Sequence, residues 1–237
     1  MSKPSFDKPT FTVPAETVFA QRAESIPTQT PLPELTRTDS PPIAETSDEA
    51  LVSVEHRRIR TLANYWHGGW ANAIPGTYLR TDAARRLYAA ADSLPNRWGL
   101  AVFDAWRPLE LQQELFDAAL DNPGIEPGFM APVSHDPATP PPHLTGGAVD
   151  LTLTFDGTPI GPGTGFDDIT DRAHAAALEA TLGPAREVRR MLYWAMRRQY
   201  FVVFTREWWH FEYGTSRWAA NRNKDAKYGP AEPLSDF

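Results

Sequence analysis

Two rhythms of apolar residues run along the chain. Residues 81–94, TDAARRLYAAADSL, set Ala84, Leu87, Tyr88 and Ala91 at helical spacing behind Thr81, a candidate N-cap. Residues 184–199, PAREVRRMLYWAMRRQ, predict a longer helix with Pro184 in its first turn, and residues 109–120, LELQQELFDAAL, a helix opened by Pro108. Residues 171–181 read as a further short helix. The period falls to two in AVDLTLTF (148–155), where Val149, Leu151 and Leu153 share one face and Asp150, Thr152 and Thr154 the other. GLAVFDA (99–105) reads as a short buried strand, with YFVVFT (200–205) and WWHFEY (208–213) as closing strands. Helices and strands interleave, and the late strands are too close for crossover helices. The expected fold is α+β, a largely antiparallel central sheet flanked by helices.

Two stretches show neither period. Residues 1–50 contain eight prolines and eight acidic residues against four basic ones. They predict an extended or surface-wrapped segment with little structure of its own, followed by a single domain over 51–237. Residues 122–142 carry seven prolines and predict a long loop, well placed as a wall or lid for whatever lies beyond it.

Composition narrows the chemistry. The 237 residues hold 41% hydrophobic positions, enough for a real core, and a formal charge of −7, which disfavours a nucleic-acid partner. The absence of cysteine removes disulfides, thiolate metal sites and cysteine nucleophiles, so a transition metal would need His, Asp and Glu. No apolar run is long enough to cross a bilayer. The start, MSKPSFDKPTFTVP, has no apolar segment behind its lysines, and the expected location is cytoplasmic.

Six histidines are present, and two stand near suggestive carboxylates. His143 precedes Asp150 by seven residues, across Gly146-Gly147, a pair that lets the chain turn tightly and bring the imidazole back toward the strand. His210 follows Glu207 by three, and Trp208, His210 and Glu212 would share one strand face. Two imidazoles and a carboxylate are a three-residue set for catalytic Zn²⁺, with a nearby glutamate to take a proton from water. Each spacing alone is weak, and no HExxH helix is present. Arg107, in FDAWRP, follows a strand and precedes a helix. It either points into a cleft to bind an oxygen or pairs with Asp104.

Taken in order, FDAWRP, HLTGGAVDLTL, GFDDITDRAH and EWWHFEYG resemble the VanX-type zinc D-Ala-D-Ala dipeptidases, within the wider D-Ala-D-Ala metallopeptidase family. The resemblance runs from about Ile59 to Tyr213. It implies hydrolysis of D-Ala-D-Ala, or a related short dipeptide, by a metal-activated water with one Zn²⁺ per chain. It implies His143, Asp150 and His210 as metal ligands, Glu207 as base and proton donor, and Arg107 as the group steadying the scissile carbonyl oxygen. Asp167 falls where the family binds the dipeptide's amino end, with Asp168 adjacent as an alternative. The chain departs from the family at Pro141, which stands where a serine is usual and can offer neither a hydroxyl nor an N–H. A carboxypeptidase trimming cell-wall peptides and a non-catalytic zinc-binding domain remain the alternatives. The expected partner is a small peptide.

Overall fold

A computed structural model describes residues 6, 11–21, 26–35, 41–43, 46–125 and 129–232. Its elements in chain order are β1 (Val13–Pro14), α1 (Ala15–Val18), β2 (Leu51–Ser53), β3 (Ile59–Thr61), α2 (Asn64–Gly68), β4 (Tyr78–Arg80), α3 (Thr81–Ser93), β5 (Trp98–Asp104), α4 (Leu109–Leu120), β6 (Ala148–Phe155), β7 (Thr158–Gly161), α5 (Pro184–Arg198), β8 (Val202–Val203), β9 (His210–Glu212) and α6 (Ser216–Arg222).

The fold is α+β around a mixed sheet. Its main path runs β1-β7-β6-β5-β3, with β9 bridging β6 and β8. The pairs β5–β6, β6–β7, β6–β9 and β8–β9 are antiparallel, whereas β1–β7 and β3–β5 are parallel. The sheet is mostly antiparallel, as expected, with parallel pairs at both ends of its path. Strand β6 is its axis. On one side it pairs with β5 along most of its length. On the other, Thr154 and Phe155 pair with β7 while Ala148–Asp150 pair with β9. Every residue of β6 is buried. Val149, Leu151 and Leu153 enter the main core with Leu87 of α3 and Val188, Leu192 and Met196 of α5. On the polar alternation, the Thr152 hydroxyl donates to the Ile160 carbonyl at 2.6 Å, so its burial leaves no orphan.

A second apolar cluster joins Tyr65 and Trp70 to Leu111, Leu115 and Ala119 of α4, with Ile125 and Met130 from the proline-rich stretch. Phe166 packs against both clusters. The site described below is lined from both.

Four local expectations change. Thr81 is the first residue of α3 rather than its cap, and Glu49 Oε1 receives the Asp82 N–H at 2.6 Å instead. Residues 171–181 form a 3₁₀ turn at Asp171–Ala173 followed by further turns, not a helix. The Arg172 and His174 carbonyls, which a helix would use internally, accept from the Arg189 guanidinium at 2.7 and 2.8 Å. The strand expected over 200–205 shrinks to Val202–Val203, because Tyr200 takes φ +71° and the Phe201 N–H closes the end of α5 on the Met196 carbonyl. The first fifty residues also contribute structure: β1 joins the sheet, and Ala15 and Phe19 are buried in the main core. Among the described residues no helix is long and apolar enough to cross a membrane.

Candidate metal centre

Gly146 and Gly147 set the first part of the site. Gly146 sits at φ +70°, and its N–H closes a 3₁₀ turn (Pro142–Thr145) on the His143 carbonyl at 3.1 Å. A Cβ at Gly147 would lie 2.4 Å from the Tyr213 carbonyl oxygen, so only glycine admits this approach to the end of β9. The turn carries the His143 ring back over β6. There Asp150 and His210 are register partners on β6 and β9, which fixes them side by side.

The three side chains converge. His143 Nε2 lies 3.2 Å from His210 Nδ1 and 3.3 Å from Asp150 Oδ2, and His210 Nδ1 lies 2.9 Å from Asp150 Oδ1. One donor atom from each falls within 4.8 Å of the others, and all three residues are buried. The remaining ring nitrogens are engaged elsewhere. His143 Nδ1 lies 2.6 Å from the Ala105 carbonyl and His210 Nε2 lies 2.9 Å from Glu212 Oε1. Both partners accept a hydrogen bond, so with the rings donating there His143 Nε2 and His210 Nδ1 face one point, where a metal would take their lone pairs. Two imidazoles and a carboxylate gathered this closely could hold a metal ion. The donor set, two nitrogens and one oxygen with a position left open, suits a catalytic divalent metal.

The electrostatics agree. Burial opposes charge on Asp150, yet His143 and His210 hold its carboxyl far below the usual range. Burial also works against a proton on His210, but Asp150 and Glu212 push its pKa up to about 10. The site thus favours positive charge at the spot where the donors meet. Glu212, fully buried, is held down to about 2 against the cost of burial by Arg217, His210 and the Thr215 hydroxyl.

The other expected residues gather around the same small cavity, of about 60 Å³. Glu207 Oε2 stands 3.8 Å from His210 Nδ1, and burial raises its pKa, with His210 opposing and Asp150 adding to the rise. Arg107 is buried and lies 3.8 Å from Asp150 Oδ2. It also makes the expected ion pair with Asp104 at 2.8 Å while lining the cavity. Gln112 accepts from its Nη1 at 2.8 Å, and its guanidinium lies 5.0 Å from the centre of the Tyr65 ring. Asp167 is buried at φ +58° and accepts the Tyr65 hydroxyl at 2.9 Å. Burial, compounded by Asp150, raises its pKa well above the usual value. Asp168 points away from the cavity lining and bonds Thr170.

The sequence reading missed Tyr65, Gln112 and Arg217, which line the cavity, and assigned no role to Glu212. Glu212 was legible as the residue two beyond His210 on one strand face. Tyr65 carries no local signal, since it reaches Asp167 from 102 residues away. The other four histidines lie outside the cavity lining.

Comparison with known proteins agrees with the geometry. A family model described as D-ala-D-ala dipeptidase matches residues 77–226, a segment that includes Arg107, His143, Asp150, Asp167, Glu207 and His210. A D-alanyl-D-alanine dipeptidase of Synechocystis sp. is 30% identical over 196 residues, covering 65% of this chain and 79% of the relative. One of Escherichia coli is 35% identical over 115 residues, covering 48% of this chain and 54% of the relative. With its motifs, its donor set and these likenesses in agreement, the chain belongs to the D-ala-D-ala dipeptidase family and is a metallopeptidase.

Proposed function

We propose that the chain hydrolyses D-Ala-D-Ala, or a closely related short dipeptide, with one Zn²⁺ held by His143, Asp150 and His210. The observation that carries this reading is the convergence of two imidazole lone pairs and a carboxylate beside Glu207 and Arg107 in one buried cavity. A divalent cation in such a set supplies Lewis acidity, polarising oxygen and making water acidic near neutral pH.

The protein's own groups do the rest. Asp167, with Tyr65, receives the ammonium of the substrate; a buried carboxylate with a raised pKa gains most from an incoming cation. Arg107, fixed by Asp104 and Gln112, donates to the scissile carbonyl oxygen as negative charge develops there. Glu207 accepts a proton from the attacking water. The water oxygen bonds to the carbonyl carbon, the C–N bond breaks, and Glu207 returns the proton to the leaving amine. Its raised pKa suits a group that must both take and give that proton.

The cavity, taken with the chamber that adjoins it, favours a short substrate. Phe129, Met130 and Pro142 wall it, and an enzyme trimming long peptides would need an open cleft. The working unit in this reading is one peptidase domain from residue 51 onward, with the N-terminal segment packed on it. Assays of D-Ala-D-Ala, a tripeptide ending in D-Ala-D-Ala and an L,L-dipeptide should show turnover of the first alone. Glu207→Gln should keep its metal and lose about 10²–10⁴ in kcat. Undiminished turnover in that variant would remove Glu207 from the base role.

A further inference from the structure

The contacts around the cavity sort into two groups. In the first, Tyr65 touches both Asp167 and Arg107. In the second, Arg217 of α6 donates to Glu212 Oε1 and its guanidinium lies 4.1 Å from the centre of the Phe204 ring, which itself packs on His210. The two arginines differ in how fully they are used. Arg107 is buried and distributes its N–H groups among Asp104, Gln112, Met130 and Tyr65. Arg217 is 24% exposed; among the described residues its guanidinium hydrogen-bonds Glu212, and its charge also acts on Glu207. A guanidinium has five donors in a rigid fork, so most of that fork is left for something else.

Arg217 also stands at a junction. The cavity at the metal centre has room for only a few waters, too little for a whole dipeptide. A second chamber of about 290 Å³ adjoins it and shares Ala131, Pro142 and Arg217 as a common wall. Among the described residues its only ionisable lining residues are Arg217 and Glu212. The Glu212 carboxylate is already taken by His210, Thr215 and Arg217. Prolines 140–142 and Ile43 form much of the remaining wall and offer no charge. A dipeptide is a zwitterion, and its extended form spans roughly 7 Å. With its ammonium at Asp167 and its peptide bond at the donor set, its other end lies toward the remaining cation.

We propose that Arg217 is a specificity residue that receives the free C-terminal carboxylate of the substrate, and that the chamber beyond it holds the leaving residue. This rests on the dipeptidase reading. A fork-to-carboxylate contact is among the stronger hydrogen-bonded pairs and discriminates against a neutral amide. Steady-state kinetics on the metal-loaded enzyme with D-Ala-D-Ala and its C-terminal amide test it.

The wild type should favour the acid by about tenfold to a hundredfold in kcat/KM. Arg217→Gln, assayed with metal in excess, should raise KM for the acid by a similar factor and erase the preference over the amide. Arg217→Lys should restore part of that preference. A wild type that treats acid and amide alike overturns the proposal. So does an Arg217→Gln variant that loses both substrates equally, as it would if Arg217 only steadied Glu212 behind His210. A wild type that cleaves neither compound strikes at the dipeptidase reading itself, and the anchor falls with it.

Discussion

Each imidazole at the centre is defined by the group behind it. The Ala105 carbonyl and the Glu212 carboxylate decide which nitrogen of His143 and of His210 faces the cation. The two supports are unequal: a backbone carbonyl cannot be mutated away, but Glu212 can. Glu212→Gln keeps the shape and removes the charge behind His210, so metal affinity should fall about 10–100-fold. Competition against a chromogenic chelator reads this directly, and unchanged affinity would show that Glu212 does not tune the site. At this scale the sequence was informative where chemistry is local. The Gly146-Gly147 pair and the closeness of Glu207 to His210 pointed to a shared site. Tyr65 and Arg217 gave no such sign, because their roles come from tertiary packing.

Elements with a strong period were legible. The spans Leu109–Leu120, Ala148–Phe155 and Pro184–Arg198 follow their apolar spacing because each buries a continuous face. The segment 171–181 did not, since Arg189 captures its carbonyls before a helix can. The proline-rich start was underestimated for a different reason. Its apolar residues are too few to show a period, yet those present are buried by the rest of the molecule. Phe19 stacks on Trp98 at 5.5 Å and meets Phe155 edge-on at 5.2 Å. Phe19→Ala should therefore cost about 3–5 kcal/mol in a chemical denaturation curve. Stability unchanged by that substitution would mean the segment lies on the core without contributing to it.

Across the whole molecule, two apolar clusters flank a small cavity lined by charged side chains. The α+β class was legible from interleaved periods; the parallel pairs at the ends of the sheet were not, because β1 and β3 are too short to announce their direction. Metal binding by His143, Asp150 and His210 is the claim on which the chemistry turns. Elemental analysis of the purified chain after equilibration with zinc and exhaustive dialysis tests it most directly, with Asp150→Ala alongside. One equivalent of zinc per wild-type chain, absent from the variant, is the expected result. A wild type that retains no metal, or a variant that retains as much as the wild type, would contradict the account.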